Sequence, residues 1–396
     1  MVTIKPELYA NCIIYYLAFA LLIMPLRLLG VFNTVYIVLP ISLAVSLAIG
    51  VHYFFITGRK SISLGEFFIG FFPILLIPLG LVNEHPLNYI ITDTLKPILW
   101  VAIICYFKNT HINNTQFMVA IHKPLILLSF CAFTTVVFVN YIVQTSGGVR
   151  LSASDIAMLF PLLYFFVQQR HFPVLLIFLL LVLGGKVGPL LSVLVVWGVF
   201  YLLRFSVSAV FYSSVICCLI FWLIVNFSYD TWSGFLPILT KFRIFFTEEF
   251  TLADLDILDK YLLGGRLAEI FGSMSIYKED LVLLFSGPGV GYTYDLYRDG
   301  VLEQSNRHGV HMSPVSLLTI YGAFYTVIFY GYMSYIIFKC LRVMKENRSK
   351  FQVMAAMFVI GNLVNSFTVY SIWSVLLFPM SIGLVLNKFN EQGDVK

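Results

Sequence analysis

The sequence predicts an all-α fold: a polytopic membrane helix bundle of about twelve transmembrane helices, with one large loop on the outer side. Three observations carry this. Of 396 residues, 60% are hydrophobic and only 11% charged, and the mean hydropathy is +0.90. An ordinary soluble domain is about 45–50% apolar and about 25% charged, so this chain has too little polar surface to cover a core in water. The apolar residues also come in runs close to the roughly 20 residues that cross a hydrocarbon core. Finally, Lys and Arg fall mainly on one side of those runs. A cytoplasmic enzyme, a secreted disulfide scaffold and a disordered chain are excluded. The 38 Phe and 23 Tyr suit lipid-facing and interfacial positions.

The first span, 10–28, follows a charged start (Lys5, Glu7) with no small-residue cleavage site after it, and reads as a retained helix. The next spans are 32–56, 66–82, 89–107, 124–143 and 154–169. Pro73 and Pro78 inside the third are tolerable where neighbouring helices satisfy the freed backbone groups. Spans 172–184 and 187–203 are separated only by Gly184-Gly185-Lys186, and 207–227 follows. After a long loop come 312–338, 352–369 and 371–387.

Charge sets the orientation. With both termini inside, the inner segments hold 14 of the 25 Lys and Arg, including the run Lys339–Lys350. The short outer loops carry only Arg27, Lys96, Arg150 and Lys186. This is the positive-inside pattern, and it accounts for the net charge of +5 without a nucleic-acid partner. The six Cys sit in or at the end of apolar runs, without zinc-ligand spacing, so neither a disulfide framework nor a cysteine metal site is expected.

The chain reads as a single membrane domain, 1–396, whose ninth and tenth spans are joined by a loop over 228–311. That loop holds 12 of the 20 acids against seven Lys and Arg. It far exceeds an ordinary connection of about 4–6 residues, so it should have structure or a task. In 251–275, Leu252, Leu255, Leu258, Leu262 and Leu263 form an apolar stripe at helical spacing, which predicts a helix lying on the membrane surface.

Ionisable residues near membrane depth are costly and so mark candidate sites. Arg150 follows Gly147-Gly148, Lys186 sits between two spans, Arg266 follows Gly264-Gly265, and Arg307 precedes His308. Such cations suit a phosphate-bearing lipid; snorkelling to the interface is the plainer reading, and the favoured one for Arg307. His308 and His311 precede the tenth span. A neutral imidazole there would take a proton from a sugar hydroxyl. At i,i+3 the two would also share a helical face and hold a metal, but no third ligand pattern accompanies them, so none is expected. Asp155 suits a helix cap or a sugar contact. Ser286-Gly287-Pro288-Gly289-Val290-Gly291 lacks a GK[ST] sequence and a βαβ context, so it reads as a turn that sets a backbone path, not a nucleotide loop.

The order Gly264-Gly265-Arg266-Leu267, then Gly287-x-Gly289-x-Gly291, then His311 with Leu317, Leu318 and Gly322, resembles the O-antigen ligase/polymerase superfamily of bacterial inner membranes. The Arg150 and Lys186 loops match two further basic positions. The likeness covers roughly 145–330; the first half of the chain matches only in hydropathy. Met312 stands where that family usually has Asn, and Lys186 where ligases often have Arg. The resemblance implies a periplasmic long loop and a metal-independent, cofactor-free, inverting glycosyltransferase acting on an undecaprenyl-pyrophosphate-linked oligosaccharide. His311 would be the base. Arg150, Lys186 and Arg266 would hold the diphosphate, with Arg307 and His308 close to the substrate. A chain-length regulator and a flippase are the protein partners it implies. Polymerase is preferred over ligase from the Gly-Gly-Arg-Leu context and the Tyr- and Phe-rich spans. A lipid-linked glycan flippase is the rival from another class, although transporters usually show two related halves and a midplane site.

Overall fold

The computed structural model describes residues 5–28, 35–56, 61–146, 155–183, 187–204, 266–278, 280–298, 301–346, 348–368, 372–373 and 375–387. The described chain is mostly helical. Helices run over Pro6–Leu28 (α1), Val35–Val51 (α2), Leu64–Leu75 (α3), Ile77–Val82 (α4), Leu87–Asn109 (α5), Asn114–Ser146 (α6), Asp155–Val167 (α7), His171–Leu183 (α8) and Val187–Arg204 (α9). Past residue 265 come Arg266–Met274 (α10), Leu283–Ser286 (α11), Ser313–Lys345 (α12), Lys350–Ser366 (α13) and Leu377–Val385 (α14). Strands Thr293–Arg298 (β1) and Val301–His308 (β2) pair antiparallel. Among the described residues, five helical segments are long and apolar enough to cross a membrane: Pro6–Ile23, Leu64–Val82, Leu87–Asn109, Asn114–Val136 and Ser313–Lys345. The predicted span 207–227 and most of the predicted surface helix 251–275 lie outside the described residues; the last part of the latter is α10.

Helix α5 is central, with every residue from Leu99 to Lys108 buried. It packs against α2, α3 and α14, while α1 lies along α6 and α13 packs on α7, α9, α12 and α14. The start of α3 shows how local sequence and packing agree. The Ser63 hydroxyl accepts from Glu66 N–H, and the Glu66 carboxylate accepts from Ser63 N–H at 2.8 Å, a capping box. The same carboxylate, 1% exposed, receives Lys108 Nζ at 2.8 Å and the Tyr332 hydroxyl at 3.2 Å. One buried ion pair thus ties α3, α5 and α12 together with its hydrogen bonds met. Removing one partner of such a pair typically costs about 3–5 kcal/mol.

At the opposite end of α5, the glycine-rich segment crosses the bundle as a strap. Gly287 (φ 74) lies against Gly322 (φ 81), where α12 breaks its helical path; a Cβ on Gly322 would collide with Gly287 N and Phe285 O. Gly289 lies equally close to Gly80 in α4. Only glycine allows both the left-handed φ and this backbone-to-backbone approach. Asn83 Nδ2 donates to Pro288 O at 2.9 Å, His85 Nδ1 to Val290 O at 3.1 Å, and Gly291 N–H to Asp93 Oδ2 at 2.9 Å. The segment therefore sets a backbone path, as its sequence suggested.

The strap leads into the β-hairpin, which the sequence reading did not anticipate. Tyr292, Tyr294, Leu296 and Val310 form a small core beneath it, closed by Ala268, Ile270, Ile276, Met312 and Val315. The hairpin and α10 thus form a cap seated on the bundle. Lys96, assigned to an outer loop by the charge pattern, instead lies within α5, nine residues from its start at Leu87.

Candidate functional site

The cap converges on the start of α12. Thr293 pairs with His308 and Tyr294 with Arg307, so β2 ends at the bundle surface. Successive strand side chains point to opposite faces. Arg307 accordingly turns to α10, and His308 turns to α5. Gly309 (φ 73) then bends the chain, and Met312 is still extended (φ −89, ψ 116) before α12 begins. His308 and His311 therefore do not share a helical face, as their i,i+3 spacing suggested. They diverge because a strand end and a turn, not a helix, separate them.

His308 is a fully engaged residue. Its Nε2 lies 3.1 Å from Asp93 Oδ1 and its Nδ1 2.9 Å from the Tyr292 carbonyl oxygen. Its ring stacks on Tyr89 at 4.1 Å with an interplanar angle of 11°. Both ring nitrogens are engaged, so neither is left for a substrate. Asp93 is 1% exposed and spends its other oxygen on Gly291 N–H. His308 anchors the cap to the bundle.

His311 is arranged differently. The Glu269 carboxylate, from α10, lies 2.8 Å (Oε2) and 2.9 Å (Oε1) from His311 Nδ1, and also accepts the His311 backbone N–H at 3.0 Å. Arg307 Nη2 donates to Glu269 Oε1 at 2.6 Å. The guanidinium also lies 3.1 Å from His311 Nδ1, both donors being turned to one carboxylate. A carboxylate at Nδ1 places the proton there and leaves the Nε2 lone pair free. Among the described residues Nε2 has no partner, and the His311 side chain is 51% exposed while Glu269 is 6% exposed. Burial pushes the Glu269 carboxyl up, but His311 and Arg307 outweigh it and hold it below the usual carboxylate range. Chemically such an arrangement can serve as an oriented base: an open imidazole nitrogen, with a buried carboxylate able to stabilise the ring once it has taken a proton.

Arg266 opens α10 one turn before Glu269 and is partly buried. Arg150 and Lys186 lie outside the described residues. The structure thus brings Arg307 and His311 together on Glu269, turns His308 away to Asp93, puts Arg266 on the helix that carries Glu269, and adds two residues the sequence reading missed, Glu269 and Asp93. Glu269 carried one signal, its place three residues after Arg266. Asp93 carried another, as an acid inside an apolar run. Compared with known proteins, the chain matches no family model and no curated protein.

Proposed function

We propose that the chain is a glycosyltransferase that polymerises surface-polysaccharide repeat units of the O-antigen kind. It would act at the periplasmic face of a bacterial inner membrane, which the hairpin cap would face. The donor is a growing glycan on undecaprenyl pyrophosphate, and the acceptor is a hydroxyl of the next lipid-linked repeat unit. His311 Nε2 takes the proton of that hydroxyl. The hydroxyl oxygen attacks the anomeric carbon in line, the bond to the diphosphate oxygen breaks, and the configuration inverts. The diphosphate leaves with the bonding pair, and Arg150, Lys186 and Arg266 meet the charge that develops on it. Glu269 steadies the imidazolium. No metal or cofactor enters this scheme.

The observation that carries the reading is the Glu269–His311 pair: a base with one nitrogen tied to a buried carboxylate and the other open, on the cap of an apolar helical bundle. A flippase has no evident use for such a base. A ligase, which would transfer the finished glycan to lipid A-core, would use the same groups. A lipopolysaccharide gel from a deletion strain separates these. Polymerase loss leaves core plus a single repeat unit. Ligase loss leaves core alone with long lipid-linked glycan, and flippase loss leaves core alone with unpolymerised units held on the cytoplasmic side.

A further inference from the structure

The glycine-rich strap is led in by a turn that is both apolar and open. Leu281, Val282 and Phe285 are 72%, 71% and 67% exposed. Leu284 N–H donates to Leu281 O at 3.1 Å and Phe285 N–H to Val282 O at 3.0 Å, so the chain winds helically into α11. Residues three and four apart on such a turn share a face, which gathers Leu281, Val282 and Phe285 on one side. Leu283 and Leu284 are half-buried on the other. Large apolar side chains grouped on an exposed turn mark a surface that meets something other than water.

The crossing lies at membrane depth. Phe285 O and Ser286 stand against Gly322 of α12. Lys339, Arg342 and Lys345 at the end of α12 mark the far membrane face. At about 1.5 Å per residue, Gly322 is about 25 Å along α12 from Lys339, short of the roughly 30 Å of a hydrocarbon core. The turn therefore sits inside the core, near its edge on the cap's side. Both helices that the strap crosses are apolar and exposed close by, at Phe324 and Val327 on α12 and at Leu81 and Val82 on α4. The turn continues their surface.

The strap backbone is divided as hydrocarbon demands. Backbone facing lipid must meet its own hydrogen bonds, and irregular backbone at that depth must be covered by protein. The open stretch, 281–286, is the one that bonds helically to itself. The irregular stretch after it, 287–291, is buried, and Asn83, His85 and Asp93 take its Pro288 O, Val290 O and Gly291 N–H. We infer that 281–291 is a re-entrant segment whose Leu281, Val282 and Phe285 dock into the acyl chains of the leaflet on the cap's side. Part of what the charge pattern counts as outer loop thus moors the cap in the bilayer. The inference rests on the bundle lying in a membrane, and not on glycan transfer.

The test places bimane on Val282→Cys and, separately, on Phe285→Cys in the full-length protein, reconstituted in phosphatidylcholine nanodiscs. Emission of identically treated wild type, with its six native cysteines, is subtracted. Val327→Cys serves as the lipid reference and Gln304→Cys, on the exposed part of β2, as the water reference. Quenching is read with nitroxide lipids labelled high or low on the acyl chain, and with aqueous iodide. An apolar face at the boundary lies about 5–10 Å deep, so both strap positions should be quenched at least about twofold by the high nitroxide and less by the low one. Iodide should reach them no better than it reaches Val327→Cys. Iodide quenching equal to that of Gln304→Cys, with no effect of either nitroxide, overturns the inference. So does shielding from iodide and nitroxides alike, which would mean that protein, a second copy included, covers the turn. Both side chains are exposed, so the cysteine variants should melt as wild type does, and either position alone decides the question.

Discussion

Replacing Glu269 by Gln keeps the shape of the side chain and removes its charge. The carboxylate receives His311 Nδ1–H at 2.8 Å. In the proposed transfer, once Nε2 has taken the acceptor's proton, an imidazolium stands about 4 Å from the carboxylate, centre to centre. Unit charges at about 4 Å attract by about 1 kcal/mol in water and about 4 kcal/mol at an effective dielectric near 20. Glu269 is 6% exposed and His311 51% exposed, so the pair lies between these limits. About 2 kcal/mol is a working figure, equivalent to about thirtyfold in rate. The amide can also donate to Nδ1, which would move the proton to Nε2 and deepen the loss. Initial rates with purified protein and lipid-linked donor and acceptor should show kcat down by about thirtyfold or more and donor KM little changed. Arg307 also loses its charged partner in this variant, so melting must be measured alongside. The double variant Glu269→Gln, His311→Ala should be no slower than His311→Ala, because the two residues act as one unit. A folded Glu269→Gln protein within twofold of the wild-type rate would refute this reasoning.

Further expectations follow from the same contacts. Gly322→Ala should lower Tm sharply, since a left-handed φ alone costs about 1–3 kcal/mol and the added Cβ meets the strap backbone; an unchanged Tm would mean the crossing has slack. Glu66→Ala leaves Lys108 buried without its counter-ion and should cost about 3–5 kcal/mol, read by thermal melting. Glu269 titrates below its ordinary 4.5 in the folded chain, so its contribution is complete above that pH and is lost as pH falls through the lower folded value. Melting from pH 6 to pH 3 should show this acid-labile component in wild type and not in Glu269→Gln.

The helices were legible because hydropathy runs report burial in lipid or core directly: α1, α5, α12 and α13 each begin and end within about ten residues of the runs that predicted them. The hairpin was not read, although Asp299-Gly300 between Tyr294–Arg298 and Val301–Glu303 is a common hairpin turn signal. Its strands are polar and bulged, with register shifts after Tyr294 and Leu296, so no alternation stands out. Glu269 was one acid among twelve in an acidic loop. Its meeting with His311 depends on how the hairpin folds back over α10, which spacing along the chain does not encode. The histidines were both marked, but their division of labour follows from Gly309 turning the chain between them. Lys96 was misplaced because the charge count overrode the apolar run that encloses it.

The most direct test of the central claim is the initial rate of glycan transfer by purified His311→Ala protein, set beside wild type at equal folded concentration. Loss of a general base should lower kcat by about 10²–10⁴-fold with donor binding retained. Transfer at the wild-type rate would contradict the account and remove His311 from the chemistry.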